Sequence, residues 1–329
     1  ISNPDSVEKI HKAYIEAGAD IIQTNTYAAK KCQLKAYGYE DRFEEINIRA
    51  AEIARKAAGE NTIVFGTVGA IRGLRECELS LETIVNETLD QVKVLLSTNK
   101  IDALLFETYY DQEEIRAVLT EVRKLIELPI ITNISLLEAG ITQNGEKVTN
   151  ALSTLVNLGA DVVGLNCHLG PYHMIKSLKQ VPLFAQSYLS AYPNASLLQL
   201  TQTTHGNEYR FRKNSAYFEQ SAKLLVEEGV RLIGGCCGTT PEHIRAIKRG
   251  IKNLKPIKRK IITPLPAEEE LIRVANNNPT IVDKVKKQVT IIAELDPPKH
   301  LNIDKFIEGA KAIDKKNIEA ITLADNSLA

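Results

Sequence analysis

The sequence predicts an α/β protein whose main part is a (β/α)8 barrel of the TIM type, and two observations lead to this expectation. Short runs of β-branched residues alternate with longer amphipathic segments over roughly the first 250 positions, the pattern of parallel βα units. Seven strands and eight helices are predicted in this region, whereas such a barrel has one strand before each helix. Because the chain opens with a helix, we expect the first strand to lie upstream of Ile1.

Local signals support the individual elements. Gly-Ala-Asp at residues 18–20, and again at 159–161, ends a helix with glycine and leads into a strand. The last helix begins at Thr240, which can cap it, followed by Pro241 in the first turn. The predicted strands cover residues 20–27, 62–69, 103–110, 129–135, 162–168, 182–188 and 231–238. The predicted helices lie near residues 5–17, 40–58, 80–99, 111–127, 146–158, 171–180, 214–228 and 241–254.

Two segments depart from the barrel pattern. Residues 189–213 are long for a βα loop, and long barrel loops usually cover the active site, so this stretch is a candidate lid. After the barrel, residues 1–254, the chain becomes basic and proline-broken, which predicts an interdomain linker over 255–289. Residues 290–329 then read as strand, helix and strand, the opening of a second α/β barrel that is truncated here.

Composition favours a small-molecule partner. Lys and Arg together number 41, as do Asp and Glu, so the net charge of +0 argues against a nucleic-acid binder. No apolar run approaches the roughly 20 residues that span a bilayer, and no signal segment opens the sequence. We therefore expect a cytoplasmic protein without a membrane partner.

Polar residues gather where several predicted strands end, and in βα barrels the carboxyl ends of the strands form the catalytic face. They are Asn25 and Thr26, Glu107 and Thr108, Asn166 and Cys167, and Cys236 and Cys237. The three cysteines of this set can therefore converge, although Cys167 is far from the other two in sequence. Three thiolates suit a zinc ion that keeps one position open for substrate.

Simpler interpretations of these cysteines stay open. Cys167 alone could be a small buried apolar residue, and the pair Cys236 and Cys237 could form a strained vicinal disulfide. Five cysteines are an odd number in a long chain, so a disulfide framework is not expected, and Cys32 and Cys77 have no cysteine neighbours. His168 follows Cys167, but alternation along a strand predicts that it faces away from the metal.

At these residues the chain closely resembles the homocysteine S-methyltransferase family. The resemblance runs from Val7 to about Leu254 and is carried by IHKAYIEAGADIIQTNTY, LLFETYYD, GLNCHLGP, YPNAS and LIGGCCGTTPEH. It implies that Cys167, Cys236 and Cys237 hold a catalytic zinc and that Glu107 binds the amino group of homocysteine. It also implies a substrate pocket that includes Asn25, Thr26, Asn166 and Asn194, with Asn194 able to fill the fourth zinc position before substrate arrives.

Two departures from the family pattern bear on this pocket. The first strand of the family carries an Asp-Gly motif that contacts homocysteine, and the sequence does not contain it. Ser196 stands where the family usually has glycine.

The resemblance implies methyl transfer to the thiol of homocysteine, which gives methionine. A metal-bound thiol is deprotonated near neutral pH, so no general base is required. The methyl donor is left open between S-methylmethionine, S-adenosylmethionine and a folate-borne methyl group. Two other hypotheses use the same residues: a zinc or thiol sensor without turnover, and a degenerate scaffold.

The trailing segment resembles the start of methylenetetrahydrofolate reductase, a flavin barrel, through AELDPPK and the helix that follows. Glu294 matches the acidic catalytic residue of that family. The resemblance covers only about forty residues, so flavin binding by this segment alone is not expected. It implies a bifunctional full-length protein in which the reductase part carries FAD.

Overall fold

The computed structural model describes residues 3–73, 77–195, 199–203, 206–210, 214–263, 285–295, 304–314 and 320–323. The chain divides into two compact units, Ile1–Leu265 and Pro266–Ala329. In its described part, no helix is long and apolar enough to cross a membrane.

Seven parallel strands form the centre of the first unit and curl as a half-barrel. Each strand pairs with the next in chain order, except that β6 pairs with β9 because a hairpin, β7 and β8, intervenes. The strands of the sheet are β1 (Ile21–Gln23), β2 (Ile63–Gly69), β3 (Ala103–Tyr109), β4 (Ile130–Ile134), β5 (Val162–Asn166), β6 (Tyr188–Tyr192) and β9 (Val230–Ile233). The hairpin consists of β7 (Gln199–Thr203) and β8 (Gly206–Arg210).

All eight helices predicted for the barrel are present, and a short helix, α2, is added after β1. The last helix ends at Gly250 rather than at residue 254. The helices are α1 (Pro4–Glu16), α2 (Lys31–Lys35), α3 (Phe43–Ala58), α4 (Leu81–Ser97), α5 (Gln112–Arg123), α6 (Val148–Asn157), α7 (Pro171–Leu178), α8 (Ser215–Glu227) and α9 (Pro241–Gly250). A 3₁₀ turn, Glu40–Arg42, precedes α3.

The alternation of side chains along each strand divides the apolar residues between two places. Larger apolar residues on one face pack under the helices, as Leu104 and Ile130 do with no exposed surface. A smaller cluster contains Phe65, Leu105 and Tyr192 together with neighbouring strand residues. These residues alternate with those of the larger cluster along their strands, which places them on the inner face of the sheet.

The prediction of the sixth strand at residues 182–188 is wrong, because the strand runs over Tyr188–Tyr192. Leu183 and Phe184 pack against the core from a loop instead. The true strand carries small residues because the sheet is crowded there: a Cβ added at Gly164 would lie 2.0 Å from the Ser190 carbonyl oxygen. The Ser190 hydroxyl is also hydrogen-bonded to the Asn133 side chain at 2.5 Å. A strand made of such residues gives a weak sequence signal.

The same shift shortens the loop that was predicted as a lid. Its first residues, through Tyr192, belong to β6, and its middle forms the antiparallel hairpin. Residues 196–198, 204–205 and 211–213 lie outside the described residues. The lid function of the remainder therefore stays a prediction.

The half-barrel is open between β1 and β9, which are not paired within the described residues. The outer helical layer nevertheless continues across this gap. Tyr14 in α1 donates a hydrogen bond to the Thr239 carbonyl at 3.0 Å, and Lys248 in α9 binds the Asp20 carboxylate at 2.7 Å. A cavity of about 440 Å³ lies behind these contacts, lined on both sides by strand residues such as Ile22 and Ile233.

The second unit contains a parallel strand pair, β10 (Ile292–Leu295) and β11 (Ala320–Leu323), with helix α10 (Asp304–Asp314) between them in sequence. The predicted order of strand, helix and strand is confirmed. Of the segment predicted as a linker, residues 264–284 lie outside the described residues. Its first part packs on the first unit, where the Lys260 ammonium donates to the Leu178 carbonyl at 2.6 Å.

Candidate metal centre

Three cysteines converge at the carboxyl end of the half-barrel. The Sγ atoms of Cys167, Cys236 and Cys237 all lie within 4.8 Å of one another, and those of Cys167 and Cys237 are 3.6 Å apart. Cys237 is exposed, whereas the other two are partly buried. The cluster therefore has one open side.

The backbone after β5 turns sharply to present the first of these thiols. The strand ends at Asn166, and Cys167 and His168 both take left-handed conformations, with φ of 59° and 57°. The prediction for His168 assumed that the strand continues through this residue, and that assumption is wrong because β5 ends at Asn166. The His168 side chain is nonetheless exposed and lies against the Tyr110 ring, outside the cysteine cluster.

Glycines and a threonine fix the other two thiols after β9. The Thr239 hydroxyl donates to the Cys236 carbonyl at 2.7 Å and so closes the turn that carries the pair. A Cβ at Gly235 would lie 2.3 Å from the Thr239 side chain, so only glycine fits there without displacement. Gly238 has a left-handed φ of 79°, which completes the turn.

The end of β6 joins the two cysteine loops. The Cys167 amide donates to the Tyr192 carbonyl at 3.1 Å, and the Cys236 amide donates to the Pro193 carbonyl at 2.9 Å. The Cys237 amide donates to the Asn194 side-chain oxygen at 3.1 Å. Three successive residues of one segment thus hold all three cysteine backbones.

The three thiols cannot all ionise in isolation, because their charges repel at these distances. Hydrogen bonds with Cys167 and Cys236 lower the pKa of Cys237, while hydrogen bonds with Cys167 and Cys237, together with burial, raise the pKa of Cys236. A divalent cation removes this repulsion, and the donor set of three sulfurs is one that zinc prefers. The residues present therefore fit a zinc ion with one further position.

Glu107 lies near this cluster at the end of β3. Burial and the neighbouring Cys167 raise the pKa of its carboxyl group to about 7. The Asn166 side-chain amide is 3.5 Å from a Glu107 carboxylate oxygen and 4.0 Å from the Cys236 sulfur. Asn166 thus connects the carboxylate with the thiols.

The other predicted pocket residues are placed less directly. Asn25 is exposed in the turn after β1. Thr26 is buried, and its hydroxyl is committed to Thr24 at 2.6 Å and to the Thr67 carbonyl at 2.7 Å, so it stabilises this turn. Ser196 lies outside the described residues, as does the side chain of Glu294 in the second unit.

Two residues near the site were missed in the sequence. Burial raises the pKa of Tyr27 to about 12, and its hydroxyl contacts Thr108 beside Glu107. The ring packs on Gly69, where an added Cβ would be 2.5 Å away. Lys30, a few positions later, is completely buried. Both residues could have been considered from the sequence, because they lie in the segment after β1 that also carries the predicted Asn25 and Thr26.

Comparisons with known proteins bear on what this cluster does. The family model for Homocysteine S-methyltransferase matches residues 1–251. Methionine synthase of Mycobacterium tuberculosis (strain ATCC 25618 / H37Rv) is 30% identical over 271 residues, which make up 79% of this chain and 22% of that protein. Methionine synthase of Mycobacterium leprae (strain TN) is 30% identical over 261 residues, 76% of this chain and 21% of that one. The chain thus spans only about a fifth of the length of these relatives.

Solved structures share the fold. The metallated form of the homocysteine methyltransferase MmuM from Escherichia coli matches with a TM-score of 0.61 and 24% identity, over 75% of this chain and 85% of that chain. A methyltransferase from Methanosarcina mazei matches with a TM-score of 0.51 and 11% identity, over 76% of this chain and 85% of that chain. At these identities the likeness shows a common TIM-barrel-like architecture.

Proposed function

Since the chain belongs to the homocysteine S-methyltransferase family, we propose that it transfers a methyl group to the thiol of homocysteine and so forms methionine. The observation that carries this proposal is the cluster of Cys167, Cys236 and Cys237, with all three sulfur atoms within 4.8 Å of one another. These three cysteines would hold zinc and leave one position open towards solvent on the Cys237 side. When bound, zinc lowers the pKa of a coordinated thiol, so that the thiol stays ionised near neutral pH.

The chain itself supplies substrate binding. In the proposal, Glu107 receives the ammonium group of homocysteine, because its carboxylate lies at the end of β3 beside the sulfur cluster. A charge-assisted hydrogen bond in such a half-buried place is both strong and directional. The substrate thiol would then reach the open side of the cluster.

Aromatic residues would limit the access of water. Tyr27 and Tyr110 both lie close enough to Cys167 for its charge to raise their pKa values, after burial as the main cause. Their rings therefore border the place where the thiol and the methyl group meet. Exclusion of water favours a sulfur nucleophile, whose charge is otherwise stabilised by hydration.

Asn25 and Asn194 complete the proposed pocket. Asn194 follows β6, and its side-chain oxygen accepts the Cys237 amide at 3.1 Å, so it stands beside the sulfur cluster. We propose that, in the absence of substrate, this oxygen can leave the Cys237 amide and occupy the open position on the metal. Asn25 is exposed in the turn after β1, where we propose that it contacts a bound ligand.

The methyl donor is proposed as a class. A sulfonium compound such as S-methylmethionine or S-adenosylmethionine, or a folate-borne methyl group, carries a methyl carbon that a thiolate can attack.

Each donor is supplied in turn to the zinc-loaded full-length protein with homocysteine, and methionine is quantified. Cys236→Ser serves as the inactive variant and Cys32→Ser, in α2, as the matched control. Zinc binding without methionine from any donor would instead support the sensor hypothesis.

The barrel is proposed to close with one further strand between β1 and β9. The outer helices already meet across this gap, while the inner layer contains a cavity of about 440 Å³ between two unpaired strand edges. A strand inserted there would form backbone hydrogen bonds with both β1 and β9 and would bring the barrel to eight strands. Full-length protein and a version that starts at Ile1 are compared by thermal unfolding. A midpoint that is the same in both would refute the closure.

A second activity is proposed for the full-length protein only. The parallel pair β10 and β11 with helix α10 favours an α/β domain after the barrel, as expected for the opening of a methylenetetrahydrofolate reductase. In this proposal the domains are residues 1–254, 255–289 and 290–329, and no chemistry is assigned to Glu294 or to FAD within the described residues. Flavin absorbance of the purified full-length protein tests this, and its absence would remove the proposal.

A further inference from the structure

Strand β3 ends in a distorted backbone next to Glu107. Thr108 has a left-handed φ of 64°, which a β-branched residue rarely adopts. The pairing between β3 and β4 shifts register between Phe106 and Tyr109, so a bulge falls on Glu107 and Thr108. Strain of this kind persists only where surrounding contacts impose it, and it concentrates at functional sites.

Two hydrogen bonds that hold Thr108 in this conformation come from one side chain, Asn166. Its oxygen accepts the Thr108 amide at 2.8 Å, and its nitrogen donates to the Thr108 hydroxyl at 2.8 Å. Asn166 has no exposed surface, so water does not compete for these bonds. Asn166 is itself held at its carbonyl, which accepts the Ser135 hydroxyl at 2.6 Å.

The bulge lies directly beside Glu107, which keeps its regular pairing with Gly69 of β2 and shares the inner face of the sheet with Leu105. In a regular strand, consecutive side chains lie on opposite faces. Here Glu107 and Thr108 are both partly exposed at the mouth of the half-barrel, while Phe106 and Tyr109 on either side are fully buried. Asn166 thus holds the backbone that directly follows Glu107, and its side-chain amide also lies 3.5 Å from a Glu107 carboxylate oxygen.

We propose that Asn166 is a positioning residue, which holds Thr108 in its left-handed conformation and thereby aims Glu107 at the ammonium group of the amino-acid substrate. Asn166 then acts on the substrate through Glu107 and makes no substrate contact of its own. The inference rests on the function proposed above, in which Glu107 binds homocysteine.

The test uses glycine, which adopts a left-handed φ without steric cost. In the zinc-loaded full-length protein, Asn166→Ala should raise the KM for homocysteine about tenfold and lower kcat much less. Adding Thr108→Gly should restore KM to within about threefold of the parent, because the bulge no longer needs Asn166 to hold it. Adding Asn166→Ala to Glu107→Gln should raise KM by no more than about twofold beyond Glu107→Gln alone.

Asn99→Gly is the matched control for the rescue. Asn99 also has a left-handed φ, of 51°, but it precedes β3 at the opposite end of the strand, so its glycine variant should not rescue Asn166→Ala. Failure of Thr108→Gly to rescue would overturn the inference. With a full additive effect on Glu107→Gln it would show direct substrate contact by Asn166, and without one it would show that Asn166 acts through its own contact with the Glu107 carboxylate rather than through Thr108. Loss of zinc from Asn166→Ala would overturn it too, since the effect would then run through the metal site. Calorimetry of the parent with homocysteine separates the two proposals, because absence of binding refutes the proposed function itself.

Discussion

The thiols of Cys167 and Cys237 lie 3.6 Å apart, although seventy positions separate the two residues in the sequence. Strand β6 brings them together, because it lies between β5 and β9 in the sheet and its final carbonyls accept the amides of both cysteine loops. The end of β6 thus ties the backbones of both cysteine loops to the sheet.

The first prediction concerns metal content. The purified protein should hold about one zinc per chain, and Cys167→Ser, Cys236→Ser and Cys237→Ser should each lose it, since each removes one of the three thiols of the cluster. Elemental analysis measures the content. Cys32→Ser is the control, because Cys32 lies in α2 outside the cluster. Full zinc occupancy in Cys236→Ser would exclude the cysteines as the metal ligands.

The sequence predicted the periodic parts of this fold well. Amphipathic segments predicted all eight barrel helices, and β-branched runs predicted six of the seven strands of the sheet. The sixth was misplaced because the centre of the true strand consists of the small residues Ser190 and Ala191. The periodic spacing of large apolar residues reveals which positions are buried, and small residues such as serine and alanine contribute little to that pattern.

The site was predicted in part. The convergence of the three cysteines follows from strand order alone, because parallel strands end at one edge. The surroundings of Glu107 do not follow from strand order. There Asn166 is hydrogen-bonded to Thr108, which is 58 positions away in sequence and has a left-handed backbone conformation. The presentation of Cys167 likewise depends on two left-handed residues in succession. Backbone conformations of this kind leave no periodic pattern when the residue is not glycine.

Replacement of Glu107 by glutamine should weaken homocysteine binding and leave zinc in place. The variant keeps the size of the side chain and removes the charge that pairs with the substrate ammonium, which is worth about 1.5–3 kcal/mol. The KM for homocysteine should therefore rise by roughly 10- to 100-fold. Glu113→Gln is the control, because that carboxylate is exposed and pairs with Arg72. An unchanged KM in Glu107→Gln would contradict the proposed role.

Replacement of Gly235 by alanine should disturb the cysteine pair through packing alone. The new Cβ would lie 2.3 Å from Thr239, whose hydroxyl holds the Cys236 carbonyl. Overpacking of this kind costs about 1–3 kcal/mol of unfolding free energy. Zinc should also be lost to a chelator at a lower concentration. Gly73→Ala is the control, because nothing lies within 4 Å of its added Cβ. Unaltered stability and zinc retention in Gly235→Ala would show that Thr239 relaxes freely.

The last prediction concerns Lys30, which is buried without exposed surface and donates a hydrogen bond to the Gly69 carbonyl. Burial lowers the pKa of its ammonium group to about 8, although the nearby carboxylates of Glu114 and Glu87 and the thiol of Cys32 oppose this shift. Between about pH 8 and the unfolded value of 10.5, the folded protein therefore binds fewer protons at this group than the unfolded chain does.

The sign of the effect on stability follows from that difference in bound protons. Stability rises with pH wherever the unfolded state binds more protons, so the cost of the buried charge is fully present below pH 8 and is relieved as pH approaches 10.5. The unfolding free energy of the parent should gain up to about 3 kcal/mol relative to Lys30→Met over this interval. Cys32 has a raised pKa of about 11, titrates in the opposite sense and interacts with Lys30, so the parent and the variant are both compared in a Cys32→Ser background.

Urea unfolding at pH 7.5, 8.5, 9.5 and 10.5, roughly one-unit steps across the titration of Lys30, supplies the measurement. Lys31→Met is the matched control, because its neighbouring ammonium is exposed and its loss removes no buried charge. The control should follow the pH dependence of the parent, while Lys30→Met should lack the rise. Parallel curves for the parent and Lys30→Met would mean that the pKa of Lys30 is not lowered in the folded protein, because Glu114 compensates the cost of burying its charge. The loop after β1 would then be anchored by the Gly69 hydrogen bond without an electrostatic cost, and Lys30→Met would lower stability equally at every pH.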